Sequence, residues 1–309
     1  MATVPYHFID AFTREPFAGN PAAVVHFSAT DARAHDSQLL LKVAREFNLS
    51  ETAFLRPLEP AEGVGEARNG EVDEPRYSLR WFTPSVEFPL CGHATLASAH
   101  ALFSTRHPGA RRIRFETMSG TLLAERLQDG RVELDFPADQ EILERNDVEA
   151  KKVASLVEAA HAELSQHVVA VTVGRLGVVV ELDASFDLEH AIIDAKPLAA
   201  SSRYIIFTQA SHVHFPQHAV YSRVFDGAED IPEDPVTGSA HCMLAPYYLS
   251  PTSPGFKGIE SSPHRSATTF SARQGGARQG ELEVEWQEER GRVKLRGQAV
   301  TVMEGSLRL

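Results

Sequence analysis

The sequence predicts an α+β fold made of two similar domains, each a mixed β-sheet wrapped around one central helix. Two stretches far apart in the 309 residues carry this prediction: CGHATLASAHALF (91–103) and DPVTGSAHCMLAPYYL (234–249). Each places a glycine and a polar residue directly before an alanine-rich run with helical character. Runs of strand character surround both stretches, so the order strand–helix–strand occurs once in each half of the chain.

The pattern of the first half predicts two helices among strands. Apolar residues at helical spacing follow Asp36, a residue suited to capping, and predict a helix over 36–47; the small-residue run predicts another over 92–105. Alternating or β-branched runs predict strands at 6–12, 19–27, 48–55, 77–84, 112–127 and 131–138. Residues 56–76, rich in Glu, Gly and Pro, are typical of an exposed loop.

The second half repeats this order more loosely. An Ala- and Glu-rich segment predicts a helix over 146–165, and the second motif predicts one within 234–249. Strands are predicted at 167–174, 177–183, 203–210, 213–225, 268–276, 281–287 and 292–309, with a Ser/Pro-rich loop at 250–268. We assign residues 1–125, completed by the C-terminal strand at about 298–309, to the first domain and residues 126–297 to the second.

The composition argues against several classes of protein. With 30 basic and 42 acidic residues the formal net charge is −12, which disfavours nucleic acid and anionic membranes as partners. Two cysteines, Cys91 and Cys242, are too few for a disulfide framework and favour a reducing compartment. The N-terminal residues lack the pattern of a signal peptide, and no apolar run approaches the roughly 20 residues that span a bilayer. We therefore expect a cytoplasmic protein.

The two helix starts in these stretches indicate a ligand site. A helix N-terminus leaves backbone N–H groups unpaired and carries about half a positive charge, so it attracts anions. Two such starts suggest two domains that face each other across a cleft and hold a small anionic metabolite between them. Thr237, Gly238 and Ser239 can offer N–H groups and hydroxyls there, after a backbone that Pro235 restricts.

Three ionisable residues near these helix starts are candidates for proton transfer: Glu51, His93 and Asp234. A carboxyl group in partly apolar surroundings has a raised pKa and can act as acid or base near neutral pH. A histidine titrates in the same range, although a helix N-terminus favours its neutral form. Each residue also has an ordinary interpretation: Glu51 as a surface residue at a strand start, His93 as a capping or packing residue, and Asp234 as a helix cap.

Other patterns give weaker indications. The two cysteines could form the thiol pair of a cofactor-independent racemase, but the second lies about one turn inside its helix. His212, His214 and His218 have no accompanying ligands at the spacing of a metal site, so we predict no metal. The Gly- and Arg-rich stretch 272–281 lacks the spacing of a phosphate-binding loop and is interpreted as a turn between strands.

Several motifs together run nearly the whole length of the chain. They are GNPAAVV (19–25), NLSETAF (48–54), RWFTPSVEF (80–88), CGHATLASA (91–99), EDPVTGSAH (233–241), LAPYY (244–248) and the QGG…R…G pattern at 274–280. In combination they resemble the phenazine biosynthesis PhzF-like family, within the diaminopimelate epimerase-like fold. The resemblance implies two similar α+β domains, each a sheet around a central helix, with the active site in the cleft between them.

The resemblance also implies a catalytic set, taken residue by residue. The acid/base glutamate of the family's S-E-T motif matches Glu51, the histidine of its G-H motif matches His93, and the aspartate of its D-P-V-T-G-S motif matches Asp234. The serine of the last motif matches Ser239, beside backbone N–H groups that can hold a substrate carboxylate. We predict substrate-binding roles for Asn20, Ser50, Cys91, Gly92, Gly238, Ser239 and Ala240.

The related epimerases use one cysteine from each half. Cys91 occupies the first such place, whereas the matching place in the second half falls in 234–236 and has no thiol. The resemblance therefore favours carboxylate chemistry: an isomerase without a cofactor that moves a proton through Glu51 within a small carboxylate-bearing metabolite. Family members act on a dihydro-hydroxyanthranilate in phenazine biosynthesis, and a homodimer is common among them.

Two alternatives stay open. One is an epimerase or racemase of an amino or hydroxy acid, in which Cys91 works with Glu51 or Asp234 as the opposite base. The other is a protein that closes on a metabolite and performs no chemistry. In every case the expected partner is a small anionic metabolite, with no nucleic acid, no membrane, no metal and no other cofactor.

Overall fold

The computed structural model describes residues 3–58, 74–144, 147–201, 203–210, 215–225 and 233–309. The chain divides into two compact units, one formed by Met1–Asp135 with Arg296–Leu309 and the other by Phe136–Leu295. Each unit combines a mixed β-sheet with helices. The predicted α+β class is therefore confirmed.

Strands and helices of the described residues follow one another as in the predicted order. In chain order the strands are β1 (Thr3–Ala11), β2 (Asn20–His26), β3 (Glu51–Pro57), β4 (Arg76–Phe82), β5 (Glu87–Phe88), β6 (Arg112–Thr117), β7 (Gly120–Arg126), β8 (Val132–Pro137), β9 (Val168–Val173), β10 (Gly177–Leu182), β11 (Tyr204–Ala210), β12 (Val220–Phe225), β13 (Glu233–Asp234), β14 (Thr269–Gln274), β15 (Gly280–Gln287), β16 (Arg292–Gly297) and β17 (Ala299–Arg308). The α-helices are α1 (Ser37–Phe47), α2 (Gly92–Thr105), α3 (Asp147–Ala160), α4 (Ala162–Gln166), α5 (Ala195–Leu198), α6 (Gly238–Leu249) and α7 (Phe256–Ile259).

The sheet of the first unit contains parallel and antiparallel pairs. β1 lies antiparallel between β17 and β2, and β2 runs parallel to β3. β3 is antiparallel to β4, β4 is parallel to β6, β6 is antiparallel to β7, and the short β5 pairs with the end of β4. This register sets Glu51 of β3 beside Ala22 of β2, and the β1–β2 hairpin brings Asn20 opposite Ala11.

The sheet of the second unit has the same order of pairs. β9 is antiparallel to β10, β10 parallel to β11, β11 antiparallel to β12, β12 parallel to β14, and β14 antiparallel to β15. The short β13 pairs with the end of β12, as β5 does with β4. The two units therefore share one build, which confirms the prediction of two similar α+β domains.

One helix in each unit is buried on all sides. Ten of the 14 residues of α2 and eleven of the 12 residues of α6 are buried, and both sequences lack a polar face. In contrast, α1 buries one face, formed by Leu40, Val43 and Ala44. α2 and α6 are thus the central helices that the small-residue runs predict. No helix in the described part of the chain is both long enough and apolar enough to cross a membrane.

Capping decides where the predicted surface helices begin and end. The carboxylate of Asp36 accepts hydrogen bonds from the N–H groups of Gln38 and Leu39, and α1 begins directly after it, as predicted. The helix predicted over 146–165 is two helices, because His161 has an extended backbone with φ −164°. Its ring Nδ1 accepts a hydrogen bond from the N–H of Leu164 and caps α4. The prediction of one continuous helix was wrong at this point.

Three other predictions differ from the structure or fall outside it. The strand predicted over 213–225 begins only at Val220, and residues 213–214 of the stretch lie outside the described residues. The loop predicted over 250–268 includes the four-residue helix α7. Most of the loop predicted over 56–76 also lies outside the described residues.

Candidate active site

The first group of candidate residues lies where α2 begins, and we call Cys91, Gly92 and His93 the α2 opening. Cys91 is the N-cap residue, with an extended backbone at φ −137°, and its side chain makes no capping hydrogen bond. The N-cap side chain therefore does not satisfy the first N–H groups of the helix, as a Ser, Thr or Asp cap ordinarily does. Cys91 and His93 are buried, whereas Gly92 is half-buried.

A chain of polar side chains links the α2 opening to β2 and to the start of β3. The Sγ atom of Cys91 is 3.4 Å from Nδ1 of His93, and the Nε2 atom of His93 is 3.3 Å from Oγ of Ser50. The Ser50 hydroxyl donates to Oδ1 of Asn20 at 3.2 Å, and Asn20 is fully buried. The structure thus brings together four predicted site residues from three separate segments.

His93 is neutral in this arrangement. Complete burial lowers the pKa of its imidazole to about 3, because no water stabilises the charged form. The sequence predicted the neutral form from the helix dipole, and burial provides a stronger reason in the same direction. A neutral imidazole has one donor and one acceptor nitrogen, so His93 can pass on a hydrogen bond between Cys91 and Ser50.

Glu51 is the first residue of β3 and directly follows Ser50. Only 6% of its surface is exposed, so the interpretation as an ordinary surface residue is wrong. Its position is set by the parallel pairing with β2, where Glu51 lies opposite Ala22. A carboxyl group with so little exposure is suited to exchange a proton with a bound molecule rather than with bulk water.

The second group lies where α6 begins, and we call Thr237, Gly238 and Ser239 the α6 opening. Thr237 is the N-cap residue, again extended at φ −109° and without a side-chain capping bond. Its hydroxyl instead donates to Oδ2 of Asp234 at 2.6 Å, so Asp234 does not act as the helix cap. Ser239 is half-buried, and Ala240 behind it is fully buried.

A bidentate ion pair holds the strand that carries Asp234. Nε and Nη2 of Arg223 donate to the two carboxylate oxygens of Glu233 at 2.8 and 2.7 Å, and Nη1 of Arg223 donates to the carbonyls of Leu188 and Ala191. The pair joins β12 to β13, where Val224 lies opposite Asp234. The planar guanidinium thereby fixes the backbone position of Asp234, because both its donor edges are occupied.

The same arrangement occurs at the α2 opening, which allows the two openings to be compared residue by residue. Arg80 donates through Nε and Nη2 to both oxygens of Glu87 at 2.7 Å, as Arg223 does to Glu233. Phe82 pairs with Glu87 as Phe225 pairs with Glu233. From these glutamates the sequences EFPLCGHA (87–94) and EDPVTGSA (233–240) run in step.

Counted from the paired glutamates, Cys91 corresponds to Thr237 and His93 to Ser239. The place that matches Cys91 is therefore an N-cap threonine, not a residue in 234–236 as the sequence comparison suggested. The other cysteine, Cys242, is buried one turn inside α6. The second opening has a hydroxyl where a two-base epimerase of the cysteine type would need a thiol.

Gln274 is a site residue that the sequence interpretation missed. Its side chain accepts a hydrogen bond from the N–H of Thr237 at 2.9 Å and donates to the carbonyl oxygen of Asp234 at 2.8 Å. The stretch 272–281 is indeed a turn between strands, since β14 and β15 are paired there. The Q-G-G motif was the available signal: Gly275 has φ +108°, and a Cβ there would lie 2.7 Å from the carbonyl of Pro235. The turn is thus packed directly against the segment that precedes the α6 opening.

No group of three or more His, Cys, Asp or Glu side chains in the described part of the chain is arranged to hold a metal ion. His212 and His214, which the sequence brought into consideration, lie outside the described residues. His218 is buried, with Nε2 3.7 Å from a carboxylate oxygen of Glu281.

The protein thus belongs to a class in which two similar α+β units each place candidate site residues at the N-terminus of a central helix. The chain matches the family model of the phenazine biosynthesis-like proteins over residues 9–305. It is 36% identical over 315 residues to phenazine biosynthesis-like domain-containing protein 2 of Mus musculus, covering 98% of this chain and 99% of the relative. It is also 36% identical over 309 residues to an uncharacterised isomerase of Pseudomonas aeruginosa, covering 98% of each. The chain belongs to the phenazine biosynthesis-like (PhzF-like) family.

Solved structures agree with this assignment. A PhzF family protein from Enterococcus faecalis has a TM-score of 0.75 and 30% identity, covering 100% of both chains. A probable proline racemase from Agrobacterium radiobacter has a TM-score of 0.55 at 12% identity, covering 99% of this chain and 93% of that one. The second similarity concerns the fold alone.

Proposed function

We propose that the protein is an isomerase that moves a proton within a small carboxylate-bearing metabolite, with Glu51 as acid and base and without a cofactor. Membership of the PhzF-like family and the isomerase name of the Pseudomonas aeruginosa relative support the reaction class. The observation that carries the proposal is the burial of Glu51 at the start of β3, directly after Ser50 in the chain of hydrogen bonds to His93.

In the proposed reaction the Glu51 carboxylate removes a proton from an acidic C–H bond and becomes a carboxylic acid. The electron pair of that bond forms a new double bond, and the electron pair of the neighbouring double bond moves onto another carbon. The Glu51 acid then delivers the proton to that carbon. Substrate and product have the same composition and Glu51 is regenerated, so no co-reactant is needed.

The neutral side chain of His93 and the carboxylate of Asp234 are proposed to hold the polar groups of the substrate. A histidine whose pKa is about 3 does not supply a positive charge at neutral pH, so His93 acts by hydrogen bonding and not as a cationic acid. Asp234 already accepts a bond from Thr237, which fits a carboxylate that accepts hydrogen bonds.

The substrate carboxylate is proposed to bind at the α6 opening. The N–H groups of Gly238, Ser239 and Ala240 belong to the first turn of α6, where the helix dipole favours an anion, and Ser239 adds a hydroxyl. Because the side chain of the N-cap residue Thr237 makes no capping hydrogen bond, an anion can serve in place of that cap.

A second candidate is an epimerase that uses Cys91. It is favoured by one observation, the 3.4 Å contact between Sγ of Cys91 and Nδ1 of His93, because a neutral imidazole can accept a thiol proton. The opposite base would then have to be Glu51 or Asp234, since the corresponding position is Thr237.

The test is proton exchange in D₂O followed by NMR. The protein is incubated with a dihydro-hydroxyanthranilate and a panel of small amino and hydroxy acids, using wild type, Glu51→Gln and Cys91→Ala. We expect isomerisation or exchange in wild type and a loss of at least about 100-fold in Glu51→Gln, while Cys91→Ala stays active. Glu181→Gln is the matched control, because Glu181 is also 6% exposed but belongs to β10.

Each other outcome contradicts a part of the proposal. Normal turnover by Glu51→Gln removes Glu51 from the mechanism. Exchange at an α-carbon that is lost in Cys91→Ala favours the epimerase. Ligand-induced stabilisation without any exchange or isomerisation favours a protein that binds a metabolite and performs no chemistry.

A further inference from the structure

The hydrogen bonds around Gln274 have only one consistent direction. The backbone N–H of Thr237 can only donate, so the side-chain atom of Gln274 that lies 2.9 Å from it must be the oxygen. The side-chain nitrogen of Gln274 therefore points the other way, toward the carbonyl oxygen of Asp234 at 2.8 Å and Oγ1 of Thr237 at 3.0 Å. Both N–H groups of the amide are then used as donors.

This direction determines what the Thr237 hydroxyl does. Its oxygen accepts a hydrogen bond from Gln274, so its single proton is available for Oδ2 of Asp234, 2.6 Å away. An O–H···O distance of this length is typical of a hydroxyl that donates to an ionised carboxylate. Gln274 is fully buried and Thr237 is 6% exposed, so water does not compete easily for these bonds.

We infer that Gln274 is a positioning residue for Asp234: through Thr237 it commits the aspartate to the ionised, hydrogen-bond-accepting form before substrate arrives. This inference rests on the proposed function for its catalytic meaning, although the hydrogen-bond direction stands without it. Asp234 then acts toward a substrate as an acceptor and not as a proton donor, which leaves the proton transfer to Glu51.

The turn after Gln274 keeps the amide in place. The N–H of Gly276 donates to Oε1 of Glu233 at 2.9 Å, and the hydroxyl of Tyr221 donates to the carbonyl of Gly275 at 2.7 Å. The same glutamate is held by Arg223. The turn is therefore tied to β13 through Glu233 and to β12 through Tyr221.

Other charged or titratable groups belong to the elements next to β13 and to α6, and they must be considered in any titration of Asp234. On the neighbouring elements they are Tyr221 and Arg223 of β12, Glu233 of β13, Arg273 of β14, Arg278 of the following turn and His241 of α6. Burial lowers the pKa of His241 to about 4, so it stays neutral over most of the useful range. Variants that change only Thr237 or Gln274 leave all of these groups in place.

The experiment is an NMR titration of the Asp234 carboxyl carbon in protein labelled with ¹³C-aspartate, with the signal assigned by Asp234→Asn. Thr237→Val removes the hydroxyl and keeps the shape, and we expect Asp234 to titrate about one pH unit higher than in wild type. Thr237→Ser restores the hydroxyl and should return the midpoint to within about 0.3 pH units of wild type.

Two variants of Gln274 test the direction of the bonds. Gln274→Met removes both donors, so Thr237 is no longer obliged to donate to Asp234, and the midpoint should rise. Gln274→Glu adds a negative charge that repels the aspartate as well, so its midpoint should rise further. Gln209→Met is the matched control: Gln209 is 1% exposed in β11 of the same unit, and its replacement should leave the Asp234 midpoint unchanged.

An unchanged midpoint in Thr237→Val, or a Gln274→Met midpoint equal to that of wild type, would overturn the inference. If Gln274→Met does not fold, Gln274→Glu, which keeps the acceptor for the N–H of Thr237 and removes both donors, decides in its place, and a wild-type midpoint in that variant overturns the inference as well. The readout does not depend on activity, so a failed isomerase assay with the expected midpoints refutes the proposed function alone. Where isomerisation is measurable, the acid limb of its pH profile should move by the same amount as the NMR midpoint.

Discussion

The openings of α2 and α6 have the same supports but different chemistry. In both, an arginine forms a bidentate ion pair with a glutamate on a two-residue strand, and a proline follows two residues after the glutamate. The helix then begins at a glycine, after an N-cap residue whose side chain makes no capping hydrogen bond. At the α2 opening the variable positions are Cys91 and His93; at the α6 opening they are Thr237 and Ser239.

The difference shows that one scaffold carries different side-chain chemistry in its two copies. The α2 opening has a thiol and a neutral imidazole in a hydrogen-bond chain that passes through Ser50, the residue before Glu51, to Asn20, and in the proposed function this set serves proton transfer. The α6 opening has two hydroxyls and Asp234, a set suited to binding and orienting polar groups. The shared arginine–glutamate pair keeps the local backbone similar, while substitutions at four of the eight aligned positions, Phe88/Asp234 among them, change the chemistry.

The largest difference should appear when the arginines are removed. Both arginines donate to groups besides their glutamates, Arg223 to the carbonyls of Leu188 and Ala191 and Arg80 to Ala34 and Ser37, but Arg223 is 8% exposed and Arg80 is 21% exposed. Arg223→Met leaves buried acceptors without donors and should cost about 3–5 kcal/mol in the free energy of unfolding. Arg80→Met should cost about 1–2 kcal/mol. Urea unfolding measures both, and equal losses would mean that the two supports are not distinguished by burial.

The first turns of α2 and α6 each contain a buried histidine, His93 and His241, and both should make the protein sensitive to acid. Burial lowers the pKa of His93 to about 3 and that of His241 to about 4, from an ordinary value of 6.5. The unfolded chain therefore binds more protons than the folded chain between these values, and stability falls as the pH falls below 6.5.

At pH 4.5 each of these histidines should cost about 2–3 kcal/mol relative to pH 7.5. We expect His93→Gln and His241→Gln to lose less stability than wild type over this pH interval in urea unfolding. The comparison uses the pH dependence and not the absolute stability, so a general cost of each substitution cancels. A wild-type pH dependence in both variants would contradict the assignment of buried, neutral imidazoles.

Catalytic loss should be greater at the α2 opening than at the α6 opening. His93→Gln interrupts the hydrogen-bond chain beside the proposed base and should lower kcat/KM about 100-fold. Ser239→Ala removes one hydroxyl from the proposed anion site, which keeps its N–H groups, and should lower kcat/KM about 10-fold. The exchange assay in D₂O measures both. His100→Gln, the same substitution in the same helix, is the control. A larger loss in Ser239→Ala than in His93→Gln would assign proton transfer to the α6 opening.

The smallest effect should follow the loss of the thiol. Cys91→Ala removes a side chain that contacts His93 but is not needed in a carboxylate mechanism, so turnover should fall less than about 5-fold. Cys91→Ser keeps a hydrogen-bonding group and should be closer still to wild type. A loss of 100-fold or more in Cys91→Ala, with protection from alkylation by substrate, would shift the comparison toward thiol chemistry.

Local patterns predicted the helix openings but not the network behind them. The bounds of α2 follow from a run of small residues after Gly92, and α1 follows from the cap at Asp36, because both depend on neighbours in sequence. Gln274 acts on Thr237 from 37 positions away, and no local rule joins an amide in a β-turn to a distant helix start.

The sequence also contains both copies of the repeated segment, but it does not show which residue of one copy corresponds to which residue of the other. The sequence alone matches Cys91 to residues 234–236, because Asp234 is the ionisable residue that precedes the second helix. The pairing of Phe82 with Glu87 and of Phe225 with Glu233 provides the common origin that aligns Cys91 with Thr237. Strand register depends on contacts across a sheet, and the order of residues along the chain does not contain those contacts.

By itself the sequence determined the α+β class, the two central helices and the residue types that can transfer a proton, since composition and periodicity are local properties. Only the tertiary structure decided that Glu51 and His93 are buried and that Asp234 is linked to Gln274 through Thr237. Burial and hydrogen-bond direction set the protonation state of a side chain, and both arise when distant segments of the chain pack together.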